Sequence, residues 1–226
     1  MIDTKKNISV IGLGYIGLPT AALLASRGYS VSGTDLNEDT VSSINKGEIE
    51  TVEPDLKAYV RSVITEGKLK AYTTIKPSDV YMICVPTPIR KDNKIPSPDI
   101  DKIVSAANSI AVHIKKGDLV ILESTSPVGT TEMIKKIFDG KGVDTSKIFI
   151  AYCPERVIPG NIMKELIENP RVIGGVNKQS TYQASEFYQT FVTGEILETE
   201  AKTAEMCKLV ENGFRDVNIA FANELS

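Results

Sequence analysis

Residues 7–21 read NISVIGLGYIGLPTA. The β-branched run 7–11 has the make-up of a short buried strand, and residues 18–26 form a small, apolar, helix-periodic stretch. Between them Gly12, Gly14 and Gly17 spell G-x-G-x-x-G. The first glycine permits a tight turn, the second lets backbone approach a pyrophosphate, and the third lets helix and strand pack closely. The helix opening also presents unpaired N–H groups to an anion. A second strand over residues 29–34 ends at Asp35 and completes a βαβ unit whose crossover suits parallel strands. A carboxylate there can accept hydrogen bonds from both ribose hydroxyls, would repel a 2′-phosphate, and has no arginine near it in sequence. NAD is therefore the expected cofactor, with Gly12, Gly14, Tyr15, Ile16, Gly17 and Asp35 as binding candidates. The bland alternative, a plain glycine helix entry and a turn-capping Asp35, does not explain why strand, spacing and acidic residue agree.

Working outward, residues 79–85, 118–122 and 147–151 are near-continuous apolar runs of the kind covered on both faces of a parallel sheet, and helical patterns fill the gaps around 99–114 and 127–138. The expected fold is α/β: a Rossmann-like doubly wound parallel sheet over residues 1–198, followed by a long C-terminal helix over 199–226, with ligands at the carboxyl ends of the strands. The last stretch contains no proline and one glycine, Gly213. As a helix it would run about 42 Å, too long for one small domain to cover. Two strand-end loops, Val85-Pro86-Thr87-Pro88 and Ser124-Thr125-Ser126-Pro127, offer the hydroxyls of Thr87 and Thr125 to a cofactor or substrate, or as turn and helix caps.

The 226 residues, 42% hydrophobic, suffice for a full core, and a net charge of −3 supplies no basic field for nucleic acid or an anionic membrane. No apolar run approaches the ~18 residues of a membrane span, and the opening MIDTKKNISV lacks a signal-peptide pattern, so a cytoplasmic protein is expected. Cys84, Cys153 and Cys207, with the single His113, make neither a metal-ligand spacing nor a disulfide framework. Cys84 and Cys207 read as buried small hydrophobes, and Cys153 has no nearby histidine to activate it.

Taken in order, GLGYIGLPTA from Gly12, VPTP from Val85, ESTSPVGTT from Glu123 and YCPERVIPG from Tyr152 resemble the signatures of the UDP-glucose/GDP-mannose dehydrogenase family. CPERVIPG and the segment from Thr203 to Ser226 are especially similar to the branch that oxidises UDP-N-acetyl-mannosamine. The resemblance implies a UDP-sugar substrate, oxidation of its C6 alcohol to a carboxylate with two NAD, and a homodimer built on a long central helix, here 199–226. It also implies a second α/β domain carrying the nucleophilic cysteine. None of the three cysteines here sits in a matching context, so that residue is expected beyond Ser226 and the chain alone is expected to be inactive.

Lys208, Asn212 and Arg215 fall at i, i+4 and i+7 and share one helical stripe, which as a bare pattern is more often a solvated face. By resemblance Lys208 and Asn212 contact the reacting sugar carbon and Arg215 binds substrate. Lys208 would stabilise an oxyanion or accept a proton, and both roles stay open. Glu155 matches a family glutamate near cofactor and substrate, and Arg156 and Val157 match substrate contacts. Where the UDP-glucose branch has a second glutamate, this chain has Pro159, which leaves Glu155 or a water held by Thr125 to assist hydrolysis. As a bland alternative, Glu155 and Arg156 make a surface ion pair. Two other functions remain open: a two-electron hydroxyacid-type NAD dehydrogenase using Lys208 and Asn212, and a non-catalytic NAD-binding or dimerisation module.

Overall fold

In the computed structural model, residues 6–51, 53, 55–90 and 96–226 are described. The first strand, β1 (Asn7–Ile11), pairs in parallel with β2 (Ser30–Thr34) on one side and β4 (Val80–Ile83) on the other. Beyond β2 lies β3 (Leu69–Tyr72); beyond β4 lie β5 (Leu119–Leu122) and β6 (Phe149–Tyr152), all parallel. The order 3-2-1-4-5-6 is the doubly wound dinucleotide-binding arrangement, with its switch point between β1 and β4. Two further strands, β7 (Arg171–Gly175) and β8 (Ile196–Glu200), extend the sheet past β6. They pair in parallel with each other, but β7 runs antiparallel to β6, a reversal the sequence pattern did not indicate. A small ribbon, Ile89–Arg90 with Ser97–Pro98, stands apart.

Helices α1 (Gly17–Ser26), α2 (Glu38–Lys46), α3 (Leu56–Thr65), α4 (Asp101–Ala111), α5 (Thr130–Gly140), α6 (Ile162–Glu168) and α7 (Lys178–Tyr188) flank the sheet. Two apolar layers result. One packs α1, α3, α6 and α7 side chains such as Leu23, Val60, Leu166 and Phe187 against Ile8, Val10 and Met82. The other packs Ile103, Ile110, Ile134 and Phe138 of α4 and α5 against Ile83, Val120 and Ile150. Strands β4 and β5 are buried along their whole length, which is why they read as unbroken apolar runs.

The long helix α8 spans Ala201–Glu224, two residues later than the sequence pattern suggested, because Thr199 and Glu200 are drawn into β8 opposite Gly174 and Gly175. A Cβ on Gly174 would lie 2.3 Å from the Glu200 carbonyl oxygen, so glycine is what lets the start of α8 close against β7. At ~1.5 Å per residue α8 is about 36 Å long. Its first turns are buried at Ala201, Ala204, Glu205 and Lys208; beyond them Val210, Phe214, Val217 and Phe221 are all exposed.

Candidate dinucleotide and substrate site

Because β1, β2, β4, β5 and β6 are parallel, the loops after them gather at one edge of the sheet. Gly12 lies at the switch point with φ +92°, and a Cβ there would stand 2.8 Å from the Cys84 carbonyl oxygen at the end of β4. A Cβ on Gly17 would lie 1.8 Å from the Gly12 carbonyl oxygen. Both positions require glycine. At Gly14 nothing comes within 4 Å of the Cβ position, so the face of the loop is open to a ligand. Ile16 precedes α1 as its cap, and the half-exposed Tyr15 stands beside it.

A cleft of about 600 Å³ is lined by Gly12, Gly14, Asp35, Val85, Lys102 and His113 among others. Asp35 Oδ2 accepts from Leu13 N at 3.0 Å and Oδ1 from Asn37 N at 3.0 Å. Two backbone bonds fix the carboxylate, and each oxygen keeps a second lone pair for a ligand hydroxyl. An open glycine loop at the switch point, a helix N-terminus and a clamped carboxylate together fit a dinucleotide. Lys102 was not foreseen; it enters the lining from α4, 67 positions from Asp35 in sequence.

Tyr15, Ile16, Gly17, Thr87 and Thr125 are outside that lining, and Tyr15 instead borders a separate hollow with Glu53. The Thr87 hydroxyl donates to the Thr125 carbonyl at 2.6 Å, and Ser124 Oγ donates to the Val85 carbonyl at 2.7 Å, so the two strand-end loops are laced together. Beneath them Glu123 is buried and accepts from Tyr188 Oη at 2.6 Å and Cys84 Sγ at 3.2 Å. Burial raises the Glu123 carboxyl above the usual range, opposed by the nearby Arg171 charge.

Lys208, 6% exposed, donates to the Glu155 carbonyl at 2.7 Å and to its carboxylate Oε1 at 3.0 Å, while Glu155 Oε2 accepts from Val157 N at 2.9 Å. Glu155 therefore pairs with Lys208 rather than with Arg156. Arg156 instead meets Glu211 of α8 at 2.6 Å. Asn212 accepts from Arg215 Nη2 at 2.8 Å, with Arg215 exposed. The stripe on α8 thus divides: Lys208 is buried against Glu155, and Asn212 with Arg215 lies on the protruding part.

Glu205 is what seats α8 here. Fully buried, it accepts from Gly129 N, from Thr131 N at 2.8 Å and from Thr131 Oγ1 at 2.6 Å, capping α5. One turn further on, Lys208 reaches Glu155. Neither Glu205 nor the buried Glu53 stood out in the sequence, since a glutamate signals a distant partner only once the chain is folded.

The thiols are poor nucleophiles. Burial pushes Cys153 up to about 12 and Cys84 well above the ordinary thiol range. Cys84 and Cys207 are both only partly buried as whole residues, contrary to the sequence reading; Cys207 lines a shallow hollow with Val128, Met206 and Val210 where α8 leaves the domain. Among the described residues no group of three or more His, Cys, Asp or Glu is placed to hold a metal, and no helix is long and apolar enough to cross a membrane.

Fold and site define a Rossmann-type NAD-binding domain. Residues 6–192 match the NAD binding domain of the UDP-glucose/GDP-mannose dehydrogenase family and residues 202–226 match that family's central domain. The chain belongs to this family. It is 53% identical to the UDP-N-acetyl-D-mannosamine dehydrogenase of Escherichia coli K12 over 97% of its length, and 51% identical to the NDP-N-acetyl-D-galactosaminuronic acid dehydrogenase of Ralstonia nicotianae over 98%. In both cases it spans 54% of the relative, about half. Among solved structures it resembles the UDP-D-ManNAc dehydrogenase of Pyrococcus horikoshii, with a TM-score of 0.91, 43% identity and coverage of 96% of this chain and 52% of that one. It is also similar to 3-hydroxyisobutyrate dehydrogenase of Mycobacterium tuberculosis, with a TM-score of 0.64 and 16% identity over 97% of this chain and 63% of that one, which concerns the fold alone.

Proposed function

We propose that this chain supplies the NAD-binding and part of the substrate-binding machinery of a UDP-N-acetyl-mannosamine 6-dehydrogenase. The observation that carries it is the buried Lys208–Glu155 pair at the carboxyl edge of a dinucleotide-binding sheet, in a chain 53% identical to an enzyme of that name. NAD, held by Gly12, Gly14, Tyr15, Ile16, Gly17 and Asp35, supplies a hydride acceptor. Two of the three Lys208 ammonium donors are spent on Glu155, which leaves one for a substrate oxygen. Poor hydration at this site makes that donor effective on developing negative charge, and the carboxylate fixes its aim. Lys208 as proton acceptor is the variant of this role that a pH profile distinguishes. Asn212, Thr125 and Thr87 are assigned to the same reacting centre, and Arg156, Val157 and Arg215 to the sugar nucleotide.

Oxidation of an alcohol to an acid takes four electrons, and the aldehyde stage needs a nucleophile to carry it to the second hydride loss. No thiol here suits, so the cysteine belongs to the second half that the relatives carry. The exposed apolar row of α8 is assigned to a homodimer contact through residues 199–226. In a chain extended by that second half, UDP-N-acetyl-mannosamine should yield two NADH per sugar, and Lys208→Ala should cut turnover by roughly 10²–10³, the effect of losing one oxyanion donor. The 226-residue chain should yield none. Full activity of Lys208→Ala would remove the helix from the site, and turnover by the 226-residue chain would favour a two-electron dehydrogenase.

A further inference from the structure

Glu53, in the segment between α2 and α3, is 3% exposed. Its Oε1 accepts from the Tyr15 hydroxyl at 3.2 Å and from Gly160 N at 2.7 Å, and its Oε2 accepts from Ile162 N at 3.2 Å. The three donors come from two segments far apart in sequence. Tyr15 belongs to the glycine loop; Gly160 and Ile162 close the segment that begins at Pro154 and carries Glu155, Arg156 and Val157. One end of that segment is therefore held by Lys208 and the other by Glu53. The Gly160 N–H at its side keeps the Glu53 carboxyl below the usual carboxylate range, and burial with the neighbouring Glu53 charge pushes the Tyr15 hydroxyl up to about 12. At neutral pH the tyrosine is a donor and the carboxylate an acceptor, as the geometry requires.

We infer that Glu53 is a positioning residue that couples the cofactor loop to the substrate segment, so that a dinucleotide settling on Gly14–Ile16 steadies residues 154–162 through the Tyr15 hydroxyl. This rests on the cofactor and substrate assignments above. The strut needs acceptors on both oxygens. A glutamine keeps one acceptor and turns an amide N–H₂ toward either Ile162 N–H or the Tyr15 and Gly160 donors, so one arm is lost whichever way it lies. Tyr15→Phe is the gentler cut: it removes one arm and leaves the carboxylate bonded to Gly160 and Ile162.

The test is amide hydrogen exchange at Gly160 and Ile162 in the 226-residue chain, with and without NAD at concentrations shown by calorimetry to saturate each variant. In the wild type NAD should slow exchange there by about 5-fold or more, the lower end of ordinary site-to-site coupling. Tyr15→Phe should leave the NAD-free rates close to wild type and abolish the NAD-dependent slowing; Glu53→Gln, which loses one arm, should raise the NAD-free rates and weaken that slowing. A purely structural Glu53 predicts otherwise, with Tyr15→Phe retaining the full NAD response, and that result overturns the inference. NAD binding with no change at these amides in the wild type also overturns it while leaving the cofactor assignment standing. Failure of the wild type to bind NAD overturns both.

Discussion

Replacing Glu205 tests how the site is assembled. Its carboxylate is fully buried and takes three donors: Gly129 N, Thr131 N and Thr131 Oγ1. In Glu205→Gln the carbonyl oxygen can keep both Thr131 donors, which converge on Oε1, but the amide nitrogen then faces the Gly129 N–H. One charge-assisted bond is lost and one buried donor is left unpaired, so the substitution should cost about 2–3 kcal/mol. For a chain of this size that corresponds to a fall in Tm of roughly 4–12 °C. Glu205→Ala strands all three donors and should cost about 3–5 kcal/mol. Thermal unfolding followed by circular dichroism gives the number directly. The damage should be local to the α8–α5 junction: NAD affinity, set in a cleft that α8 does not line, should hold within about twofold, well under the ~1.4 kcal/mol of a tenfold change. An unchanged Tm in Glu205→Gln would refute the idea that this carboxylate seats α8, and a collapse of NAD affinity would show that α8 supports the cleft after all.

Calorimetry should find NAD bound well ahead of NADP, and Asp35→Ala should narrow the gap by about tenfold or more, since a charged hydrogen bond contributes roughly 1.5–3 kcal/mol. Equal affinities in the wild type would contradict this. Light scattering at high micromolar concentration should show a dimer, and Phe214→Asp should yield monomers without loss of NAD binding; a monomeric wild type counts against α8 as the contact. Stability against acid should report Glu53: its pKa is lower in the folded chain than in the unfolded one, so its contribution is fully present above the unfolded value near pH ~4.3 and fades as the pH falls through the lower folded value. Denaturant titrations of wild type and Glu53→Gln should therefore differ most near neutrality, with the gap shrinking as the pH falls below the unfolded value; a gap that stays constant down to about pH 3 would mean that the carboxylate charge is not what matters.

The βαβ unit and its ligand were legible because their determinants are local. Gly12, Gly14 and Gly17 work within one turn, Asp35 ends the adjacent strand, and the apolar runs of β4 and β5 record burial on both faces. The pairing of Lys208 with Glu155 was not a spacing pattern; the family resemblance named both residues, and the fold brings them into contact across 53 positions. Tertiary structure alone decided the rest. Glu205 reads as one more helix-forming glutamate until α8 is laid against α5, 74 positions earlier in the chain, and Glu53 as a loop acid until Gly160 arrives from 107 positions away. The start of α8 moved from Thr199 to Ala201 because strand pairing with Gly174 and Gly175 overrides a helical pattern at its edge. The reversed strand β7 left no mark for the same reason: direction within a sheet is set by which neighbour supplies the hydrogen bonds, and that information lies between segments rather than in either one.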